Sequence, residues 1–235
     1  MTHFKKSITA VFLGLVATQM YGAYANENHA QWLFSLGGQS KYITEGRNNL
    51  TAGGLQFAQL DLNYMQTDFQ VWLAKGTQED YQELNLSAVR GFQFGDWQAY
   101  LGAARLVFSQ TDEYDTELAT GLIYSHHPIL LPSIDYVYST QADGSFVMMA
   151  LASHPWVISE QLSVFSHLSI GLDFGYASAH YDGVNHGEAG VGIQVALNPA
   201  LHLQAMLGYS HPLHDVKLEQ GDNHHWLSIS LQQAF

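Results

Sequence analysis

From Trp32 onward, apolar and polar residues alternate with a period of two, and helical spacing is hard to find. In the last segment Leu227, Ile229, Leu231 and Phe235 share one face, while Ser228, Ser230, Gln232 and Ala234 share the other. Val191, Ile193, Val195 and Leu197 alternate with Gly190, Gly192, Gln194 and Ala196. The same period runs through Leu168, Ile170, Leu172, Phe174 and Tyr176, and through Leu118, Thr120, Leu122 and Tyr124. A two-residue period puts one set of side chains on each face of a strand. Twelve segments follow this rule: 31–43, 54–65, 68–76, 82–93, 96–108, 115–126, 133–140, 144–153, 162–179, 187–198, 201–211 and 224–235. Tight turns at Gln66-Thr67, Gly95-Asp96 and Asn198-Pro199, with 127–132 and 154–161, largely alternate with polar loops at 44–53, 77–81, 109–114, 141–143, 180–186 and 212–223. The pattern predicts an all-β fold, an antiparallel up-and-down transmembrane β-barrel of about 12 strands, with both termini on the periplasmic side. Ten strands result if 133–140 and 144–153 form a hairpin outside the membrane.

The first residues read as an address. Lys5 and Lys6 precede an apolar run from Ile8 to Ala17, and Ala23-Tyr24-Ala25 supplies small residues at a cleavage site. A basic start, a short apolar run and an A-x-A end form a secretory signal, with cleavage after Ala25. The run is too short for a spanning helix, which needs roughly 20 apolar residues. The chain therefore divides into a signal peptide, 1–25, and a barrel, 26–235.

Composition narrows the class. Only 12% of residues are charged, with 21 Asp+Glu against 8 Lys+Arg, and there is no cysteine. The acidic balance argues against nucleic acid. Abundant Phe, Tyr, Leu and Val argue against disorder. The missing cysteine removes disulfides and thiolate metal sites. Losing Lys5 and Lys6 leaves 6 bases against 21 acids, a formal charge of −15. A soluble sandwich or lipocalin-like barrel also alternates, but presents a polar outer face; here the outer stripes are apolar. Trp32, Tyr64, Trp97, Tyr124, Tyr138, Tyr176, Tyr209 and Trp226 fall towards segment ends, where interfacial aromatic girdles sit. The closing run from Trp226 to Phe235 resembles the terminal assembly signal of bacterial outer-membrane proteins, with Phe235 its last residue. That resemblance implies the outer membrane, its lipid and the barrel-assembly machinery as surroundings and partners. More narrowly, Ser40-Lys41-Tyr42-Ile43-Thr44-Glu45-Gly46-Arg47, followed by Asn48-Asn49-Leu50, resembles the opening of the TorF-like porins. Glu117-Leu118-Ala119-Thr120-Gly121-Leu122-Ile123-Tyr124-Ser125 resembles a later strand of that family.

If the apolar stripes face lipid, Asp61, Glu83, Glu117, Asp135, Asp173 and Glu188 face inward and are candidate lumen or selectivity residues. His167, His202, Gln70, Gln98, Asn85, Gln194 and Gln204 join them. Carboxylates lining a narrow low-dielectric passage favour cations, as charged selectivity rings do. The leading expectation is a channel for small polar solutes with a cation bias. A second reading is a closed barrel, its carboxylates paired with Arg90, Arg105 or Lys41 and its loops serving adhesion or surface binding. A third is a lipid hydrolase, for which His167-Leu168-Ser169 is the nearest motif; no G-x-S-x-G elbow accompanies it. Histidines and acids gather in two loops, making His180, His186, His211 and His214 weak metal candidates. Their spacing is not that of a tight site, so no metal, cofactor or catalytic residue is expected.

Overall fold

The computed structural model describes residues 30–179, 181–219 and 221–235. Twelve strands form the wall: β1 (Gln31–Gln39), β2 (Leu55–Tyr64), β3 (Thr67–Gly76), β4 (Gln82–Phe94), β5 (Trp97–Phe108) and β6 (Glu113–Tyr124). They continue as β7 (Leu130–Ser139), β8 (Gly144–Ser153), β9 (Leu162–Phe174), β10 (Asp182–Asn198), β11 (Leu201–Pro212) and β12 (His224–Ala234). Each pairs antiparallel with its neighbours in sequence, and β12 returns to β1, from Leu33 opposite Ala234 to Gln39 opposite Ser228. The ring is closed, and twelve strands rather than ten build it, because β7 and β8 are ladders of the wall. Closure matters because an unpaired strand edge in hydrocarbon would carry unsatisfied N–H and C=O groups.

Every strand places a large apolar side chain on the outside. Leu36, Leu60, Leu73, Leu86, Leu101, Leu118, Ile134, Met149, Leu168, Val191, Leu207 and Ile229 are all exposed, one per strand in chain order. A continuous apolar belt of this kind is disfavoured in water and suits lipid. Charge is sorted across the wall. Apart from Asp182 at the start of β10, the carboxylates of the strands lie on inner faces, whereas Lys75, Arg90 and Arg105 lie on outer ones. Arg90 and Arg105 are therefore not partners of the inner acids. Arg90 binds the Met65 carbonyl at a turn, and the Arg105 guanidinium sits 3.7 Å from the Tyr114 ring centre.

Three expectations are revised in detail. The segment 162–179 leaves the wall after Phe174: Gly175 takes φ +75°, and the chain from Tyr176 turns into the barrel. The segment expected from 187 begins at Asp182, with an extra residue at Asn185 where the register shifts. Of the aromatics assigned to the girdle, Trp32, Tyr64 and Trp97 are outside and exposed, but Tyr176 and Trp226 are buried inside. Period two fixes the face of Trp226 as that of Ser228, so its position near a strand end was the misleading cue. Residues 1–25 and His180 lie outside the described residues.

The β2–β3 connection is a two-residue hairpin turn, Met65-Gln66, with φ 49° and 61°. Both values are the left-handed kind that type I′ turns require and that Asn-Gly supplies with least strain. Replacing the pair with Asn-Gly is expected to raise the urea midpoint of unfolding, with a gain of about 1 kcal/mol. An unchanged or lower midpoint contradicts this reading of the turn.

Candidate functional site

One end of the barrel is filled by three inserted segments. Residues 40–54 carry a small hairpin, Ile43–Thr44 against Arg47–Asn48, whose turn Glu45-Gly46 has φ 44° and 75°. Gly46 meets this need directly, and its missing side chain also makes room for His186: a Cβ there would lie 2.6 Å from the His186 Cβ. The hairpin buries Arg47 almost completely. Opposite it, the short helix α1 (His214–Glu219) presents two acids. Arg47 Nη2 donates to Asp215 at 3.0 Å and Nε to Glu219 at 2.9 Å, while Nη1 donates to the Glu45 carbonyl. Burial disfavours the guanidinium's charge, but hydrogen bonding and attraction from Glu219 and then Asp215 outweigh it and raise its pKa. It stays charged. The third segment, 175–178, is tied to both: Ser178 Oγ donates to Glu219.

Beneath this plug the six acids expected inside all lie on inner faces, and most are locked to uncharged donors. Asp61 receives Gln59 and Gln70 amides. Glu83 receives the Tyr42 hydroxyl at 2.8 Å, the Asn85 amide, and Tyr81. Glu117 receives Tyr176. Burial and the nearby carboxylates of Glu117 and Glu45 push the Tyr176 phenol far up, so it remains a donor. Asp135 receives the Tyr100 hydroxyl at 2.6 Å and Ser133. Asp173 receives the backbone N–H groups of Tyr176, Ala177 and Ser178, thereby shaping the inward turn. Glu188 differs: its partner is a histidine, His167, with Nε2 to Oε1 at 3.0 Å.

The interior is lopsided. Along β4–β8, Val89, Tyr100, Leu106, Ile123, Val137 and Phe146 pack with Tyr176 into an apolar core inside the barrel. The residues expected inside were polar ones; in this half apolar side chains join them, with aromatic rings from the inserted loop and the wall packed together. Along β9–β12 several inner side chains stay partly exposed, namely Phe165, His167, Gln194, His202, Gln204, Ser228 and Gln232, while Ser169, Ser210, Trp226 and Ser230 are buried. Here rings lie flat against glycines of the next strand. His167 is opposite Gly190, Phe165 opposite Gly192 and Trp226 opposite Gly208, and in each case an added Cβ would meet ring carbon within 2.2 Å. Glycine lets the ring hug the wall, an arrangement that also shields the bare backbone.

The other expected residues do not converge. Gln70, Gln98 and Asn85 are inside, as are His202, Gln194 and Gln204. His186 is buried and hydrogen-bonded to Asn185, His211 is on the outside with Asn223, and His214 stacks on Tyr181. Among the described residues no group of three or more His, Cys, Asp or Glu is placed to hold a metal ion. Of the His167-Leu168-Ser169 motif, both polar residues lie on the inner face, where His167 Nε2 binds Glu188 and Ser169 is paired across from Glu188. Arg47, Asp215 and Tyr176 were not among the inner residues expected. The available cue was scarcity: from residue 26 onward the chain has only 6 Lys and Arg, and one of them, Arg47, follows a glycine in the first loop.

No protein-family model and no curated protein matches the chain. Solved structures do match in fold. The NanC porin aligns with a TM-score of 0.55 at 10% identity, over 86% of this chain and 98% of that one. An outer-membrane channel from Pseudomonas putida F1 aligns at 0.53 and 10% identity, over 89% and 96%. LpxR from Salmonella typhimurium aligns at 0.54 and 8% identity, over 86% and 99%. At such identities the likeness is one of fold: this chain has the architecture of the outer-membrane β-barrels, a fold that porins and an LpxR barrel share.

Arg47 is the pin of the plug, and removing one partner of a buried ion pair costs roughly 3 kcal/mol because the other is stranded. Arg47→Met should leave the barrel folded while trypsin cuts after Lys41 and Lys217 roughly a hundredfold faster. Cleavage at the wild-type rate would mean that the plug is held by other contacts. Gly46→Ala should act in the same direction, by straining the turn and pressing on His186.

Proposed function

We propose that the protein is exported through its signal peptide, 1–25, and works in the bacterial outer membrane as a channel for small polar solutes, with a cation bias. The observation that carries this reading is the sorting of charge across a closed, apolar-belted wall: acids inside, bases outside, and partly exposed polar groups along one interior flank. Its fold is that of the NanC porin and the Pseudomonas putida F1 channel, and the TorF-like resemblance of its first loop points the same way. Phe235, at the exposed end of β12, fits a signal for the barrel-assembly machinery, and membrane lipid is the partner of the belt. Buried acids next to a narrow water path attract cations and repel anions, because the wall screens them little.

The folded plug favours a second reading, a barrel shut at the loop end whose loops bind a surface. Planar-bilayer recording of the refolded protein separates the two. Discrete conductance steps are expected, with a reversal potential of cation-selective sign under a salt gradient. Silence favours the shut barrel, and anion selectivity overturns the argument from the acids. Orientation has its own check. Cysteines at Gln110 and Asp182 should be labelled from outside intact cells, and labelling only from the periplasm would invert the barrel.

A further inference from the structure

Six inner acids are not six equal charges. Asp61, Glu83, Glu117, Asp135 and Asp173 are no more than 7% exposed, each held by amides, hydroxyls or backbone N–H groups; Glu117 and Asp135 are bonded to Tyr176 and Tyr100 of the apolar core, and Asp173 lies at the plug end of β9. Glu188 lies on the opposite flank, in the strand pair β9–β10, with its side chain 20% exposed and that of His167 24% exposed. Both are inner-face positions, Ser169 pairing across from Glu188 and Gly190 from His167, so their exposure is to space inside the barrel. Further along the same flank Phe165, Gln194, Gln204 and Gln232 are also inner and partly exposed, the last two bonded to each other across β11 and β12. The rings that could obstruct this space are laid on Gly190 and Gly192.

We propose that water and solute travel off-axis along the β9–β12 flank, and that Glu188, oriented by His167, is the carboxylate that sets the charge selectivity for small hydrated cations. The proposal deepens the channel reading and rests on it for the word selectivity; the water path itself does not. His167 is a positioning residue. Its Nε2 holds one carboxylate oxygen, Oε1, and so fixes the carboxylate on the inner face. The five buried acids shape the wall and the plug and are not met by the solute.

Two measurements test this independently. In the full-length barrel, Glu188→Cys should react with a small cationic methanethiosulfonate at least tenfold faster than Asp135→Cys. Equal rates, or slow reaction at both, would remove the off-axis path whether or not the protein conducts. In bilayers, Glu188→Gln should lower the cation-to-anion permeability ratio by about fivefold, the factor one unit charge exerts at ~4 Å in a wet site. Asp135→Asn should change it much less. His167→Leu should move the ratio partway with conductance retained, and His167→Gln, which keeps a donor, should restore it. A ratio indifferent to Glu188, or governed equally by Asp135, overturns the assignment. A wild-type protein without conductance overturns the channel reading instead, leaving the labelling result to decide the path.

Discussion

The structure depends on one constraint, that backbone polar groups in hydrocarbon must be paired within the protein. β1 and β12, first and last in the wall, meet it by pairing with each other along almost their whole length. Closure then dictates the rest. A closed ring has an inside and an outside, period two assigns every side chain to one of them, and a shift of one residue would exchange the two sets completely. The outside must be apolar, so the chain cannot use Lys and Glu freely, and the few charged residues are those whose place the fold can justify.

Inside, twelve strands enclose more room than wall side chains alone fill, since about eight is the number at which they just meet. The molecule uses that room unevenly. Loop 40–54, the turn after β9 and α1 fold into one side and one end, bringing Tyr42, Tyr176 and Arg47 where wall residues do not reach. The aromatic rings serve two purposes according to their neighbours. All four lie on glycines, but Tyr100 on Gly121 and Phe146 on Gly171 are buried in a core, whereas Phe165 on Gly192 and His167 on Gly190 stay partly exposed along the wall.

The wall was legible in the sequence to within a few residues because its signal is repeated in every strand and each repeat carries the same meaning. The Leu227–Leu231 alternation alone assigns Trp226 to the interior, against its nearness to a strand end. The inner faces of Asp61 through Glu188 were legible for the same reason. The plug was not, because period two says nothing about where a loop goes after it leaves a strand. Tyr176 continues the alternation of β9 and yet lies beyond Gly175, whose positive φ turns the chain inward. Arg47 could be seen to be unusual, but its partners Asp215 and Glu219 lie far away in sequence, joined only through the closed ring.

The inner acids also show why counting charges does not by itself describe a lumen. Glu83, Glu117 and Asp135 each accept from a tyrosine hydroxyl, a donor that satisfies a carboxylate without cancelling its charge. Among the described residues the plug brings Arg47 inside, and it is committed to Asp215 and Glu219. The acids of the packed half are thus met by phenols in place of cations, while exposure is decided separately, by packing. The carboxylate of Asp135, beside Tyr100, is sealed by packing, whereas Glu188 is partly exposed beside the imidazole of His167. The rings of His167 and Phe165, held flat on Gly190 and Gly192, keep to the wall beside it, so packing separates this one inner acid from the other five.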